Sequence, residues 1–176
     1  MNIGLAYMGQ YQPGSKHPRD LETAQKAIEY LEKFVQAFPD DKKAQKAREF
    51  LVSMYLATDR YDDAIKWYGE ALALAPGNVD VSTDLGVCYY YTNQPDKALQ
   101  QFEHSLKLDP KHAKTLLNVG IVRAFGKQDL DGALKVWQQV VQIAPASPEG
   151  QAAQRAIDSV RASHPGAGSA TPNPGT

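Results

Sequence analysis

The stretch VDVSTDLGVCYYYTNQPDKALQQFEHSLKLDP, from Val79 to Pro110, decides how the rest of the chain is read. Leu85, Gly86 and Tyr89 share one face of a first helix, and Ala98 and Phe102 share one face of a second, at the i, i+4 spacing of side chains stacked along a helix. Thr92-Asn93-Gln94-Pro95 separates the two as a turn. Gly86 and Ala98 are small enough for the two helices to approach closely, and Tyr89 and Phe102 fill the space beside that contact. Pro110 has no N–H and pushes Asp109 out of the α region, so the second helix stops there.

The same pattern recurs on both sides. Leu51, Tyr55, Ala64, Tyr68 and Pro76 stand 34 residues earlier. Val119, Gly120, Ala133, Trp137 and Pro145 follow, with one extra residue expected between Gly126 and Ala133. A 34-residue period of Leu-Gly-x-x-Tyr, Ala-x-x-x-Phe and Pro resembles the tetratricopeptide repeat (TPR), a helix-turn-helix module. The opening Trp of that motif is absent, with Arg48, Ser82 and Leu116 in its place. The resemblance implies an all-α fold, a right-handed superhelical array of TPR helix-turn-helix repeats with a C-terminal capping helix.

The expected division follows that period. Residues 1–39 read as a partial repeat with an inserted loop, 44–77, 78–111 and 112–146 as three complete repeats, 147–163 as the capping helix and 164–176 as a disordered tail. Ile3, Gly4 and Tyr7 match Leu85, Gly86 and Tyr89, but only two residues precede Ile3, and a helix cut that short nucleates poorly. The reading favours a fragment of a longer protein over a frayed first repeat. Gln12–Asp20 is expected to be a loop on its Pro and Gly content, and Leu21–Phe38 a helix with the stripe Ala24, Ala27, Ile28, Leu31, Phe34 and Val35. Further helices are expected at Ala44–Ala57 and Tyr61–Leu74, and over the two halves of each later repeat. Ser147-Pro148-Glu149 reads as an N-cap followed by Pro in the first helical turn, and Ala153, Ala156, Ile157 and Val160 share one face beyond it.

Composition narrows the function classes. Among 176 residues 43% are hydrophobic and the formal net charge is −1, so no whole-protein field favours nucleic acid or an anionic membrane. Cys88 is the only cysteine, which excludes an internal disulfide and a cysteine-based zinc cluster. No apolar run approaches the ~18 residues of a transmembrane helix, and no basic region precedes an apolar stretch at the N-terminus. No membrane insertion by this chain is expected. The sequence alone points to the cytoplasm, or to the periplasm if an anchor or signal lies upstream, and says nothing of oligomeric state.

No catalytic constellation, metal site or cofactor motif is expected. His17, His104, His112 and His164 are scattered among polar and turn residues and read as surface histidines. Cys88 has no histidine placed to activate it and reads as a small buried residue. Trp67 and Trp137 read as packing residues of second helices. The basic run Lys42, Lys43, Lys46 and Arg48 is offset by Asp40, Asp41 and Glu49, so no nucleic-acid partner is expected.

In the TPR family the inner face is built mainly by first helices. The resemblance therefore implies columns Lys46, Asp80, Lys114; Glu49, Thr83, Leu117; Ser53, Val87, Ile121; and Leu56, Tyr90, Ala124, bordered by Phe50, Asp84 and Asn118. TPR co-chaperones hold a C-terminal carboxylate with Lys, Asn and Arg at fixed places in three successive repeats. Those places hold Glu49 and Ser53, then Asp84, then Lys114 and Asn118 here, and only Lys114 fits. The other reading is a groove for a protein or peptide partner, with Val87, Tyr90, Leu117 and Ile121 as an apolar patch suited to an amphipathic helix. Against it stands the reading that these side chains meet neighbouring helices. Val81–Tyr91, Asn118–Val122, the Trp137 helix and the cap also resemble bacterial TPR proteins of cytochrome c maturation. That implies, as an alternative to a free-standing scaffold, a targeting or regulatory domain of a larger, membrane-anchored protein.

Overall fold

In a computed structural model, residues 2–10 and 18–164 are described, and among them every regular element is helical. The chain divides into two compact units, Met1–Val81 and Ser82–Thr176. The residues of the Gln12–Asp20 loop before Pro18, and the tail beyond His164, lie outside the described residues.

In the first unit α1 (Asn2–Gln10) packs on α2 (Pro18–Ala37). Gly4 makes the approach possible, since a Cβ there would stand 2.9 Å from Leu31 Cγ, and the Tyr7 and Tyr30 rings stack at 5.8 Å. α2 starts three residues earlier than expected, at Pro18, because Pro is compatible with a first helical turn and Asp20 meets the positive end of the helix dipole. Its stripe Ala24, Ala27, Ile28, Leu31 and Val35 is buried. α3 (Ala44–Ala57) and α4 (Tyr61–Leu74) form the next pair, with Leu51, Tyr55, Ala64, Trp67 and Tyr68 buried. The Tyr55 hydroxyl donates to Glu32 Oε1 at 2.5 Å and ties α3 to α2.

The second unit holds most of α5 (Val79–Tyr91), then α6 (Pro95–Leu108), α7 (Ala113–Ile121), α8 (Leu130–Ile143) and α9 (Pro148–Ser163). Phe102 of α6 lies directly on Gly86 of α5, where a Cβ would come within 2.4 Å of its ring. Trp137 of α8 takes the same place over Gly120 of α7 and donates its Nε1–H to the Leu117 carbonyl at 3.1 Å. The position of the missing motif Trp is filled differently in each repeat. Arg48 is buried and donates to the Pro39 carbonyl at 3.3 Å. Ser82 is fully buried and receives hydrogen bonds from Gln101 and Ser105, each at 2.7 Å, while Leu116 is simply apolar.

The extra residue of the last repeat sits earlier than the sequence suggested. In each of the three complete repeats a residue with positive φ stands two positions past the end of the first helix: Asp59 at 58°, Asn93 at 60° and Gln128 at 57°. The next residue's N–H reaches five residues back in the first two turns, Arg60 to Tyr55 and Gln94 to Tyr89, but six back in the third, Asp129 to Arg123. So the insertion lies before Gln128. It is absorbed as one π-helical turn at Val122–Gly126, with Lys127 N–H bonding the Val122 carbonyl at 3.0 Å.

Candidate binding face

In the second unit, two direct contacts tie the first helices of successive repeats together. The Thr83 and Thr115 hydroxyls meet at 2.6 Å, and the Lys114 ammonium lies 2.5 Å from the Asp84 carboxylate. With α5 and α7 so fixed, the next positions along each helix share one side: Val87 and Tyr90 from α5, Leu117 and Ile121 from α7. All four are half-buried. Val87 and Tyr90 pack on the cluster of Ala98, Phe102, Val119 and Val122, while Leu117 and Ile121 pack on the cluster around Trp137. They do meet neighbouring helices, as one of the two readings held, and each still offers part of its surface.

Thr83 is a correction. It was expected to face the groove, but it is fully buried, because α5 and α7 approach closely enough for its hydroxyl to find that of Thr115. Ala124 is likewise buried, carried inward by the π turn. Asp80 is exposed at the start of α5. Asn118 Nδ2 donates to the Lys114 carbonyl at 2.9 Å, so its amide N–H serves its own helix.

On α3, in the first unit, Lys46, Glu49 and Ser53 are exposed. Lys46 pairs with Glu49 at 3.0 Å and lies over the Phe50 ring at 5.2 Å, and the Ser53 hydroxyl donates to the Glu49 carbonyl at 3.0 Å. These are local contacts within one helix, so the three side chains form a mixed-charge polar patch and not a carboxylate grip. Lys114, the one residue that fits the family's carboxylate-binding pattern, spends its charge on Asp84.

The remaining chemistry-bearing residues are accounted for locally. His104 is exposed, with Nδ1 3.2 Å from Ser82 Oγ, and His112 Nδ1 lies 2.7 Å from Thr115 Oγ1. His164 is exposed and His17 lies outside the described residues. Cys88 is fully buried, and burial, with a smaller contribution from the Asp84 charge, pushes its thiol up to about 12. Among the described residues no three His, Cys, Asp or Glu side chains group as metal ligands, and no helix is long and apolar enough to cross a membrane.

Sequence reasoning missed a cleft of about 370 Å³ at the turn end of this unit, lined by Tyr90, Tyr91, Asn93, Pro95, Phe125 and Gly126. Phe125 and Tyr91 are 66% and 60% exposed. The signal available was the odd residue in the repeat spacing, whose π turn presents Phe125 outward.

Two tetratricopeptide-repeat family models match, over residues 19–79 and 55–118, together more than half of the chain. BBSome complex member BBS4 of Bos taurus is 31% identical over 113 residues, 64% of this chain and 21% of that protein. The Hsp70-Hsp90 organizing protein of Triticum aestivum is 30% identical over 129 residues, 73% of this chain and 22% of that protein. The chain thus spans about a fifth of the length of these relatives. Among solved structures, YrrB, described as a TPR protein with an unusual peptide-binding site, superposes with a TM-score of 0.69 at 21% identity, covering 88% of this chain and 71% of that one.

Proposed function

This chain belongs to the tetratricopeptide-repeat family, and we propose that it is a non-enzymatic interaction module whose α5–α7 face takes an amphipathic helix or apolar peptide of a protein partner. The observation that carries this reading is the Lys114–Asp84 ion pair at 2.5 Å beside the half-open side chains Val87, Tyr90, Leu117 and Ile121. The cation that would attract a carboxylate is neutralised, and what remains open is aliphatic and aromatic. Such a surface gains most from burying an apolar stripe, with Tyr90 as the aromatic anchor. Asn118 and the Lys114–Asp84 pair form its polar margin, and Asp80, Lys46, Glu49 and Ser53 are exposed polar residues of the first unit.

A binding role also suits the part-buried Ser82–His104 contact, since His104 is exposed but Ser82 is fully buried, which leaves its hydroxyl no path to a substrate. Neither the family match nor these relatives point to cytochrome c maturation, so that alternative is not carried further.

Selection of a displayed peptide library on the purified chain tests the proposal. The expected winners carry apolar residues at i, i+4 spacing, bind equally with an amidated C-terminus, and lose about 2 kcal/mol or more of affinity with Tyr90→Ala plus Leu117→Ser. Winners that need a free C-terminal carboxylate and are lost with Lys114→Ala would replace this reading by a carboxylate-binding one.

A further inference from the structure

The cleft at the turn end of the second unit is built by two successive turns. Tyr90 and Tyr91 are the last two residues of α5 and Pro95 is the first of α6, while Phe125 and Gly126 close the π turn. Gly126 lets the turns meet, since a Cβ there would stand 3.1 Å from Pro95 Cβ and 3.3 Å from Tyr90 Cε2. Lys127 of the later turn pairs with Asp96 at the start of α6, at 2.7 Å. The earlier turn is held by the Asn93 N–H on the Tyr90 carbonyl at 3.0 Å and the Gln94 N–H on the Tyr89 carbonyl at 2.8 Å. The walls are thus fixed by the fold, and a ligand does not have to order them.

Two of the rings on this cleft do not serve the repeat packing. Tyr91 and Phe125 are exposed and belong to neither of the clusters around Phe102 and Trp137, although Phe is among the residues most often buried. The Tyr90 and Tyr91 rings stand 5.7 Å apart, tilted at 57°. None of the six lining residues is charged. The cations that flank Phe125 and Gly126 in the chain are paired, Arg123 with Asp129 and Lys127 with Asp96, both at 2.7 Å.

These features select a class of ligand. An uncharged aromatic cleft offers nothing to an acidic or basic peptide, whereas a proline-bearing peptide in polyproline conformation matches it in three ways. Its rings pack flat on aromatic faces, and its extended shape is preformed, so little entropy is lost on docking. Its carbonyls have no partner within their own helix, and the Asn93 amide and the tyrosine hydroxyls are donors. The volume of about 370 Å³ lies at the lower end of the ~300–1,000 Å³ of ligand pockets, which suits a short extended stretch and not a helix several turns long.

We propose that the Tyr90–Tyr91–Phe125 cleft takes an uncharged, proline-bearing segment of a partner protein in polyproline conformation. Tyr90 also belongs to the α5–α7 face, so the cleft continues that face at its turn end. The cleft reading does not depend on what occupies the face.

Titration of the nitrogen-15 chain with a capped ten-residue polyproline peptide tests this. The amide signals of Asn93 and Gly126 are expected to shift in a saturable way, while that of Gly69 in the first unit stays in place. A capped Gly-Ser peptide of the same length should move none of them. Tyr91→Ala with Phe125→Ala, both at exposed positions, should weaken binding about tenfold or more with an unchanged melting temperature. Leu117→Ser should leave polyproline binding as it is, even where it abolishes capture of an amphipathic helix, so the two sites fail separately. Unmoved Asn93 and Gly126 signals, equal shifts with the Gly-Ser peptide, or full affinity in the Tyr91→Ala, Phe125→Ala chain would overturn the proposal. Loss of polyproline binding with Leu117→Ser would overturn it in favour of the α5–α7 face.

Discussion

The indole of Trp137 lies so close over Gly120 that a Cβ added there would stand 2.1 Å from its Nε1. The Trp137 N–H is held in turn by the Leu117 carbonyl, so the ring has little freedom to retreat. Gly120→Ala should therefore cost at least the ~1–3 kcal/mol of ordinary overpacking, a fall of several degrees in melting temperature. Gly69→Ala is the control: nothing lies within 4 Å of the added carbon on α4. It should stabilise by about 0.5–1 kcal/mol through the helix preference of Ala. Thermal melts of the two variants should move in opposite directions, and equal shifts would mean that the α7–α8 crossing is looser than described.

The Thr83–Thr115 hydroxyl contact should appear as coupling. Both groups are fully buried, and Thr115 also meets His112 Nδ1 at 2.7 Å. Replacing one Thr by Val takes one hydrogen-bond partner from the other hydroxyl, while replacing both removes the pair. A urea double-mutant cycle is expected to give a coupling energy of about 0.5–3 kcal/mol. Additive effects would show that the two hydroxyls are satisfied independently.

Gln128 holds a φ of 57°, a region that Gly enters freely and a long side chain does not. Gln128→Gly should raise stability by up to about 1 kcal/mol. Asn93→Gly, at φ 60°, should change it less, because Asn tolerates this conformation better. Chemical denaturation of the two variants checks the order.

Cys88 links stability to alkaline pH. Its thiol is pushed from an ordinary 9.0 up to about 12 in the folded chain, chiefly by burial. Between those values the unfolded thiol has lost its proton while the folded one keeps it, so the unfolded state binds fewer protons and stability falls as pH rises. Burial and the Glu32 hydrogen bond raise Tyr55 as well, which adds to the fall at the alkaline end. Cys88→Ala should flatten the decline that begins near pH 9, measured by denaturation midpoints across pH. An unchanged slope would mean that the thiol titrates normally in the native chain.

The sequence by itself determined the helices, their order and the repeat, because these rest on local quantities. The 3.6-residue period of Leu85, Gly86, Tyr89, Ala98 and Phe102, the proline stops and the turn residues all act within a few positions of one another. The small-residue contacts at Gly86 and Gly120 were legible for the same reason. Only the tertiary structure decided what each outward position does. Thr83 and Leu117 occupy equivalent columns, yet one is sealed against Thr115 and the other stays half open, because that depends on how closely α5 and α7 approach. The Lys114–Asp84 pair, which removes the carboxylate-binding cation, joins residues 30 positions apart that no local pattern connects. The odd residue in the last repeat was visible as a count, but a count does not say where a helix will widen. The π turn at Val122–Gly126, and with it the exposure of Phe125, followed from the need to keep Gly120 under Trp137 and Gln128 in the left-handed turn at once.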